Sequence, residues 1–263
     1  LLIIGERINT TREKVAEAVA NQDAAFLVKE ARLQKEAGAD FIDLNVGTFG
    51  EEEGELLSWL VSLIQEEVDI PLSLDSPNPE AISSAIKFVK RKPIINSTTG
   101  EAWRLKPTIS MAKEYSASVV ALVIDEKGIP EDAQGRLKIA EKLIESLSGA
   151  GIPLEDIYLD PVVLPIATGR RGKVVLETIR LMRETFPKVH IICGLSNISF
   201  GLPLKGLLNR TFLPMAMAMG LDAVILDPLD KKLMAALAAS YALLGEDRNL
   251  KGYLKAYRSG SLD

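Results

Sequence analysis

Along this chain, short apolar runs end one after another in carboxylates and carboxamides. Asp43-Leu44-Asn45, Asp75-Ser76, Asn96-Ser97, Asp160-Pro161, Ser196-Asn197 and Asp227-Pro228 close such runs in order, and Glu6, Arg7 and Asn9 follow the first run, Leu2-Ile3-Ile4. An ionised carboxylate accepts two parallel hydrogen bonds, while a carboxamide offers an acceptor oxygen and two donors. Gathered in one place, these groups would recognise a flat heterocycle rich in N–H donors. The 2-amino-4-oxopyrimidine face of a pterin, with an amino group and a ring N–H pointing the same way, has that character. Each residue also has a plain structural reading, because Asp and Asn shape turns and cap helices. Caps are equally well made by Ser, Thr and Gly, so the repeated choice of acids and amides calls for a further reason. A phosphorylated sugar would instead need a Gly-rich anion nest late in the chain, and Gly194-Leu195-Ser196-Asn197 is a poor one.

Something must bring these residues together. Apolar, β-branched runs near Leu2–Gly5, Phe41–Asn45, Leu72–Asp75, Pro93–Asn96, Val119–Ile124, Ile157–Asp160, Val189–Leu195 and Ala223–Asp227 alternate with segments of helical periodicity. Phe26, Leu27, Ala31, Leu33 and Ala37 form an apolar stripe that stops at Gly38; Leu56, Leu60, Leu63 and Ile64 form another, and Ile139, Leu143 and Leu147 a third before Gly151. Asn78-Pro79 reads as a helix cap followed by a first-turn proline. The alternation predicts an α/β fold, a (β/α)8 TIM barrel, for which about 250 residues is the usual length. Its active site lies at the carboxyl ends of the strands, where the acids and amides fall. A doubly wound open sheet is the other architecture with this alternation. It needs a glycine-rich turn after the first strand, which Gly5-Glu6-Arg7-Ile8-Asn9 does not provide. With no linker-like break, residues 1–263 are expected to form a single domain. The acidic run Glu51-Glu52-Glu53 reads as a solvated helix start.

Composition narrows the function. The 263 residues carry 31 Lys and Arg against 36 Asp and Glu, a net charge of −5, which argues against nucleic acid as a partner. A single cysteine, Cys193, and a single histidine, His190, exclude a disulfide framework and two-histidine metal motifs, so no metal site is expected. No secretory signal or membrane-length apolar stretch is visible, and a cytoplasmic setting with no membrane partner is expected.

The segments Ile4-Gly5-Glu6-Arg7-Ile8-Asn9, Asp43-Leu44-Asn45-Val46-Gly47, Leu74-Asp75-Ser76, Ile95-Asn96-Ser97, Leu159-Asp160-Pro161, Gly194-Leu195-Ser196-Asn197-Ile198-Ser199 and Asn209-Arg210-Thr211-Phe212-Leu213 span nearly the whole chain. With these segments the chain resembles the pterin-binding methyltransferases: the methyltetrahydrofolate–corrinoid protein methyltransferases and the folate domain of cobalamin-dependent methionine synthase. More distantly it is similar to dihydropteroate synthase. The resemblance implies a dihydropteroate-synthase-like barrel with tetrahydrofolate or 5-methyltetrahydrofolate as substrate in its mouth. It implies a corrinoid protein as partner, carrying the cobalamin whose cobalt exchanges the methyl group in either direction, and a homodimer. By matching position, Asp160 would bind the pterin amino and ring N–H groups, Asn96 and Asp75 other edge atoms, and Asp43 would support the ring. Asn197 would contact N5, with Gly194 and Ser196 lining the same pocket. Lys205 falls where relatives carry an arginine near the folate tail, and the two are not equivalent toward carboxylates. Phe200-Gly201-Leu202-Pro203 is closer to methionine synthase than to the acetogenic enzymes. Dihydropteroate synthase has a lysine and an arginine after strand seven, where Asn197 and Ile198 stand here.

A tertiary amine leaves only when it carries positive charge, so N5 must be protonated in the transition state. The carbonyl oxygen of Asn197 is suited to stabilise that charge, with the proton arriving from solvent through the Asp75 and Asn96 network. A dihydropteroate-type ligase and a non-catalytic folate-binding subunit are the alternatives. Elsewhere the residues read as structural: His190 at the end of strand seven away from the mouth, Cys193 in the core, Met215, Met217 and Met219 in helix packing, Trp59 and Trp103 on helix faces, and Arg170-Arg171 in a solvated loop.

Overall fold

Strands form where the β-branched runs stand. The computed structural model, which describes residues 1–169 and 171–262, has β1 (Leu2–Asn9), β2 (Phe41–Asn45), β3 (Leu72–Asp75), β4 (Ile94–Thr98), β5 (Ser118–Leu122), β6 (Ile157–Asp160), β7 (His190–Gly194) and β8 (Ala223–Leu226). Every neighbouring pair is parallel, and β8 closes on β1 to complete the expected barrel. The helices are α1 (Glu13–Ala20), α2 (Ala24–Glu36), α3 (Glu53–Glu67), α4 (Pro79–Ile86), α5 (Ala102–Glu114), α6 (Ala133–Gly149), α7 (Arg171–Thr185), α8 (Lys205–Ala218), α9 (Lys231–Leu243) and α10 (Lys251–Arg258). Asn78 caps α4 by accepting from the Glu80 N–H at 3.0 Å, with Pro79 in the first turn as its sequence implies.

The two-residue period of a strand sorts the side chains into two sets. Ile4, Ile94, Val120, Tyr158, Ile192 and Ala223 form one buried cluster that plugs the barrel, with Leu2, Phe41, Leu122 and Ile225 packed against it. The alternate residues, among them Ile3, Ile42, Leu44, Leu74, Ile95, Leu159, Ile191 and Val224, join the larger core beneath the helices. Each such side chain, fully buried, contributes ~1.5–3 kcal/mol. Continuing the inward set by two residues toward the carboxyl ends reaches Glu6, Asp43, Asn96, Asp160 and Gly194; Asn45 follows Asp43 by two more, and Asp75 follows the buried Ser73 of β3. One alternation therefore builds both the apolar plug and the polar mouth.

Five strands end elsewhere than the sequence reading placed them, among them β4, which runs past Asn96 to Thr98, and β8, which stops at Leu226 before Asp227. β1 continues to Asn9 because a register shift between Gly5 and Ile8 lets it resume pairing with β2 at Ile8 and Leu44. Within the shift the Arg7 N–H donates to Gln34 Oε1 on α2 at 3.0 Å, replacing the lost ladder bond. β5 stops at Leu122, short of Ile124, and β7 stops at Gly194, short of Leu195, which begins a 3-10 turn.

Several side chains depart from their expected surroundings. Glu51 and Glu52 are exposed, but Glu53 is buried, so the acidic run is not simply a solvated helix start. Trp59 packs against the core whereas Trp103 is largely exposed, and Met215 is half exposed while Met217 is buried. Cys193 is buried in the core, and Arg171 begins α7; Arg170 lies outside the described residues. His190 stands at the amino end of β7, stacked on Tyr158 at 4.7 Å, with Nδ1 3.0 Å from Asp222 Oδ2.

Gly5 is the tightest contact in β1, because a Cβ there would lie 2.4 Å from Gln34 Oε1. Gly5→Ala must push that fully buried amide away from the Arg7 N–H. The expected loss is ~2–3 kcal/mol, combining overpacking with an orphaned backbone donor. A urea midpoint equal to wild type would show that Gln34 relaxes freely.

Candidate active site

The mouth is built as a ring of strand ends. On one side, Asn96 Nδ2 donates to Asp43 Oδ1 at 3.1 Å, and Asn45 Nδ2 donates to Asp75 Oδ2 at 2.8 Å. The Asp43 and Asp75 carboxyls lie near enough for the charge on one to oppose ionisation of the other. Burial, then the neighbouring Asp75 charge, holds Asp43 well above the usual carboxylate range. Burial also raises Asp75, which Glu53 pushes further up while Asn45, Asp43 and Arg104 oppose the rise. Such neighbouring carboxyls titrate as a pair rather than separately.

Asp160 closes β6. Burial carries its carboxyl from an ordinary 3.8 to about 7, against the pull of the Val162 N–H and of Arg136. Val162 N–H donates to Asp160 Oδ1 at 2.6 Å. Across β7, Gly194 leads into a 3-10 turn, Leu195–Ser199. Ser196 Oγ donates to Glu6 Oε1 at 2.8 Å, and burial raises the Glu6 carboxyl despite that bond. A Cβ on Gly194 would lie 3.0 Å from Asn197 Nδ2, so the glycine makes room for this carboxamide. Asn197 is exposed, and its side chain has no hydrogen bond to the described residues.

The candidate residues thus fall into groups. Asp43, Asp75 and Asn96 form one network with Asn45; Gly194, Ser196 and Asn197 share one turn; Asp160 ends the intervening strand. Lys205, at the start of α8, is exposed with Nζ 5.5 Å from the centre of the Phe200 ring, and makes no ion pair with the others. Asp227 is committed to two arginines, Arg7 Nη1 at 2.9 Å and Arg12 Nη2 at 3.3 Å, so this strand end is structural. An open groove of ≈ 530 Å³ between α2 and α3 lies on the outer wall and includes none of these residues.

A family described as pterin binding enzyme matches residues 5–227. The chain belongs to the pterin binding enzyme family. It is 34% identical over 265 residues to the methylcorrinoid:tetrahydrofolate methyltransferase of Eubacterium limosum, covering 100% of this chain and 98% of that one. It is 33% identical to the methionine synthase of Mycobacterium tuberculosis over 86% of this chain and 20% of that protein. Among solved structures, dihydropteroate synthase from Yersinia pestis with a sulfonamide drug has a TM-score of 0.69 at 15% identity, covering 93% of this chain and 94% of that one. Dihydropteroate synthase from Thermus thermophilus gives 0.66 at 17%, over 90% and 94%. At such identities the likeness concerns the fold.

Some residues around this pterin binding enzyme's mouth escaped the strand-end reading. Glu6 and Asn45 stood at strand ends but outside the candidate set. Glu53 is 5% exposed, and its Oε1 has no hydrogen-bond partner among the described residues. Arg104 is buried and donates to the Ser97 carbonyl at 3.0 Å, while burial lowers its pKa. Arg136 lies behind Asp160. The available signal was a charge inside an apolar stripe: Glu53 precedes Leu56, Leu57 and Leu60, and Arg136 precedes Ala140, Leu143 and Leu147 on buried faces.

Asp160 makes a stability prediction with a definite sign. Its carboxyl holds a proton more tightly folded than unfolded, so its contribution is fully present below about pH 4 and lost as pH rises through about 7. Asp160→Asn keeps an oxygen for the Val162 N–H and removes the ionisation. The variant should have a higher urea midpoint than wild type at pH 8, with the gap narrowing by pH 5. A gap that is constant or reversed would contradict the burial of this charge.

Proposed function

We propose that this protein is a methyltetrahydrofolate:corrinoid protein methyltransferase, moving a methyl group between N5 of tetrahydrofolate and the cobalt of a corrinoid carried by a partner protein. The observation that carries the reading is likeness over the full length to a methylcorrinoid:tetrahydrofolate methyltransferase. The mouth supports it with N–H acceptors on one side and the free Asn197 carboxamide on the other. A dihydropteroate-type ligase needs a basic residue after strand seven, where Asn197 and Ile198 stand. The same residues serve either direction, and the name of the Eubacterium limosum relative supports transfer from methylcorrinoid to tetrahydrofolate.

The roles follow from donor chemistry. Asp160, with one oxygen on Val162, offers the other to the pterin amino and ring N–H groups. Asn96, its NH2 engaged by Asp43, presents its carbonyl oxygen to the pterin edge; Asp75 meets other edge atoms, and Asp43 supports the ring through Asn96. Gly194 and Ser196 line the pocket beside N5. Asn197 stabilises positive charge on N5, and the Asp75 and Asn96 network passes the proton from solvent. The partner's corrinoid supplies or accepts the methyl group. Phe200 and Leu204, in the segment after the β7 turn, expose apolar area that a partner bringing that corrinoid would cover.

The molecule so read is one pterin-binding barrel domain of residues 1–263, a cytoplasmic homodimer that binds a folate and a corrinoid protein but no nucleic acid. No helix among the described residues is long and apolar enough to cross a membrane. Exposed Leu243, Leu250, Leu254 and Tyr257 offer apolar area that a subunit contact would cover.

The deciding measurement is single-turnover methyl transfer between 5-methyltetrahydrofolate and cob(I)alamin. Asn197→Ala should lower kcat and kcat/KM by ~10²–10³, because its contact strengthens as N5 gains charge, while folate affinity changes less. Wild-type protein that binds folate without transfer would be a non-catalytic folate-binding subunit, and turnover of p-aminobenzoate would make it a dihydropteroate synthase. Transfer at the wild-type rate by Asn197→Ala would defeat the role given to that residue.

Lys205 is placed outside the pocket, toward the folate tail. Lys205→Ala should weaken folates with long glutamate tails, spare tailless pterins, and lose its effect at high salt. Equal losses for both ligands would remove Lys205 from the tail.

A further inference from the structure

Arg136 is fully buried, a rare place for a guanidinium. Such a cation needs acceptors, and it has them on Nε and Nη1, while the buried Nη2 has none among the described residues. Nε donates to the Pro130 carbonyl at 3.0 Å, in the segment between β5 and α6. Nη1 donates to the Pro161 carbonyl at 2.7 Å and to the Val162 carbonyl at 3.0 Å, directly after β6. Those last two carbonyls belong to the peptide groups on either side of the Val162 Cα. Val162 has φ of +61°, in the left-handed region that a β-branched residue avoids. In that conformation its N–H turns back onto Asp160 Oδ1 at 2.6 Å.

We propose that Arg136 is the positioning residue of Asp160. By holding both peptide planes that flank Val162, it keeps this residue left-handed, so that Asp160 is fixed through one oxygen and offers the other to the ligand. Its third bond ties the loop after β5 to the loop after β6, so the two move as one. The proposal rests on reading Asp160 as the acceptor of the pterin N–H groups.

The groups around Asp160 are few. Cys193 on β7 is a buried thiol whose proton burial holds in place, and it adds no positive charge. Arg136 is the cation acting on Asp160, and it in turn faces Arg171 of α7 and Asp132 at the cap of α6. Removing it therefore takes away a positive charge and loosens the Val162 N–H together, and both changes favour the protonated carboxyl.

The test uses wild type, Arg136→Gln and Arg136→Lys. Titration of the Asp160 carboxyl by ¹³C NMR, without ligand, reads the clamp directly. Calorimetry with tetrahydrofolate across pH reads its consequence. Arg136→Gln should move the Asp160 titration above the wild-type value of about 7. It should weaken tetrahydrofolate about tenfold or more at pH 7, as losing an orienting partner does at other sites, and shift the pH below which binding fails upward. KM should rise while kcat at saturation stays near wild type. Arg136→Lys keeps the charge but not the fork, and should restore the titration better than the affinity. If Arg136→Gln lowers only the urea midpoint, with titration and affinity unchanged, the residue merely packs and the proposal is overturned. Should the glutamine variant not fold, the lysine variant decides: unchanged affinity and titration would overturn the clamp. Wild type that fails to bind tetrahydrofolate would overturn the folate reading, while the Asp160 titration still judges Arg136.

Discussion

A carboxyl group taken out of water must find a proton, a cation or N–H donors, and the barrel mouth takes four of them out of water at once. Burial is the first cause of the raised pKa of Glu6, Asp43, Asp75 and Asp160 alike. Each is relieved differently. Asp43 takes the Asn96 amide and Asp75 the Asn45 amide, Glu6 takes the Ser196 hydroxyl, and Asp160 takes one backbone N–H with a guanidinium behind it. None of these arrangements uses every lone pair. A ligand that brings N–H donors completes the set and draws Asp160 toward its ionised form, so recognition and proton balance are one event in this mouth.

The barrel supplies that constraint through its geometry. Closing eight strands leaves no sheet edge for water to follow, and the inward side chains below the polar layer form an apolar plug. Two residues of rise separate Ile4 from Glu6, Phe41 from Asp43 and Tyr158 from Asp160, so the plug and the acids are adjacent layers of the same stripe. An acid on the opposite parity would point under the helices. The irregularity in β1 serves the same layer: with the Gln34 amide filling the gap at Arg7, the strand runs on to Asn9 and keeps Glu6 at the height of Ser196.

What could be read from the sequence divides along the same physical line. Strand ends were legible because period and turn residues are local, and Asp43, Asp75, Asn96, Asp160 and Asn197 emerged from that pattern with the family resemblance. Pairing was not local. Nothing in Asp227-Pro228 announces that Arg7 and Arg12, more than 200 positions earlier, occupy its carboxylate. Glu53 sat in an acidic run that looked solvated, yet helix geometry turns it inward beside Leu56 and Leu57. Arg136 was hidden by its type, since an arginine on a helix is usually a surface residue; the stripe through Ala140, Leu143 and Leu147 shows otherwise. Polar residues at apolar stripe positions were the overlooked signal, and in both cases they stand beside the acids that the strand ends had already marked.

Asn197 differs from every other polar group in the mouth, because it is exposed and the protein leaves its carboxamide unbonded. A side chain meant to bind the ground state is best held in place beforehand, as Asp160 is by Val162. One meant to respond to charge that appears only during reaction gains from the opposite arrangement. On the proposed reading, the carboxamide would contribute little to substrate affinity while N5 is neutral. Once N5 is protonated, its oxygen would meet a charged donor, and hydrogen bonds of that kind are about twice as strong as neutral ones. On that reading, the difference between the two states would accelerate transfer. A histidine or lysine in this turn could deliver a proton but would repel the cation that results. The carboxamide carries no charge to repel it, and Gly194 gives it the space to turn.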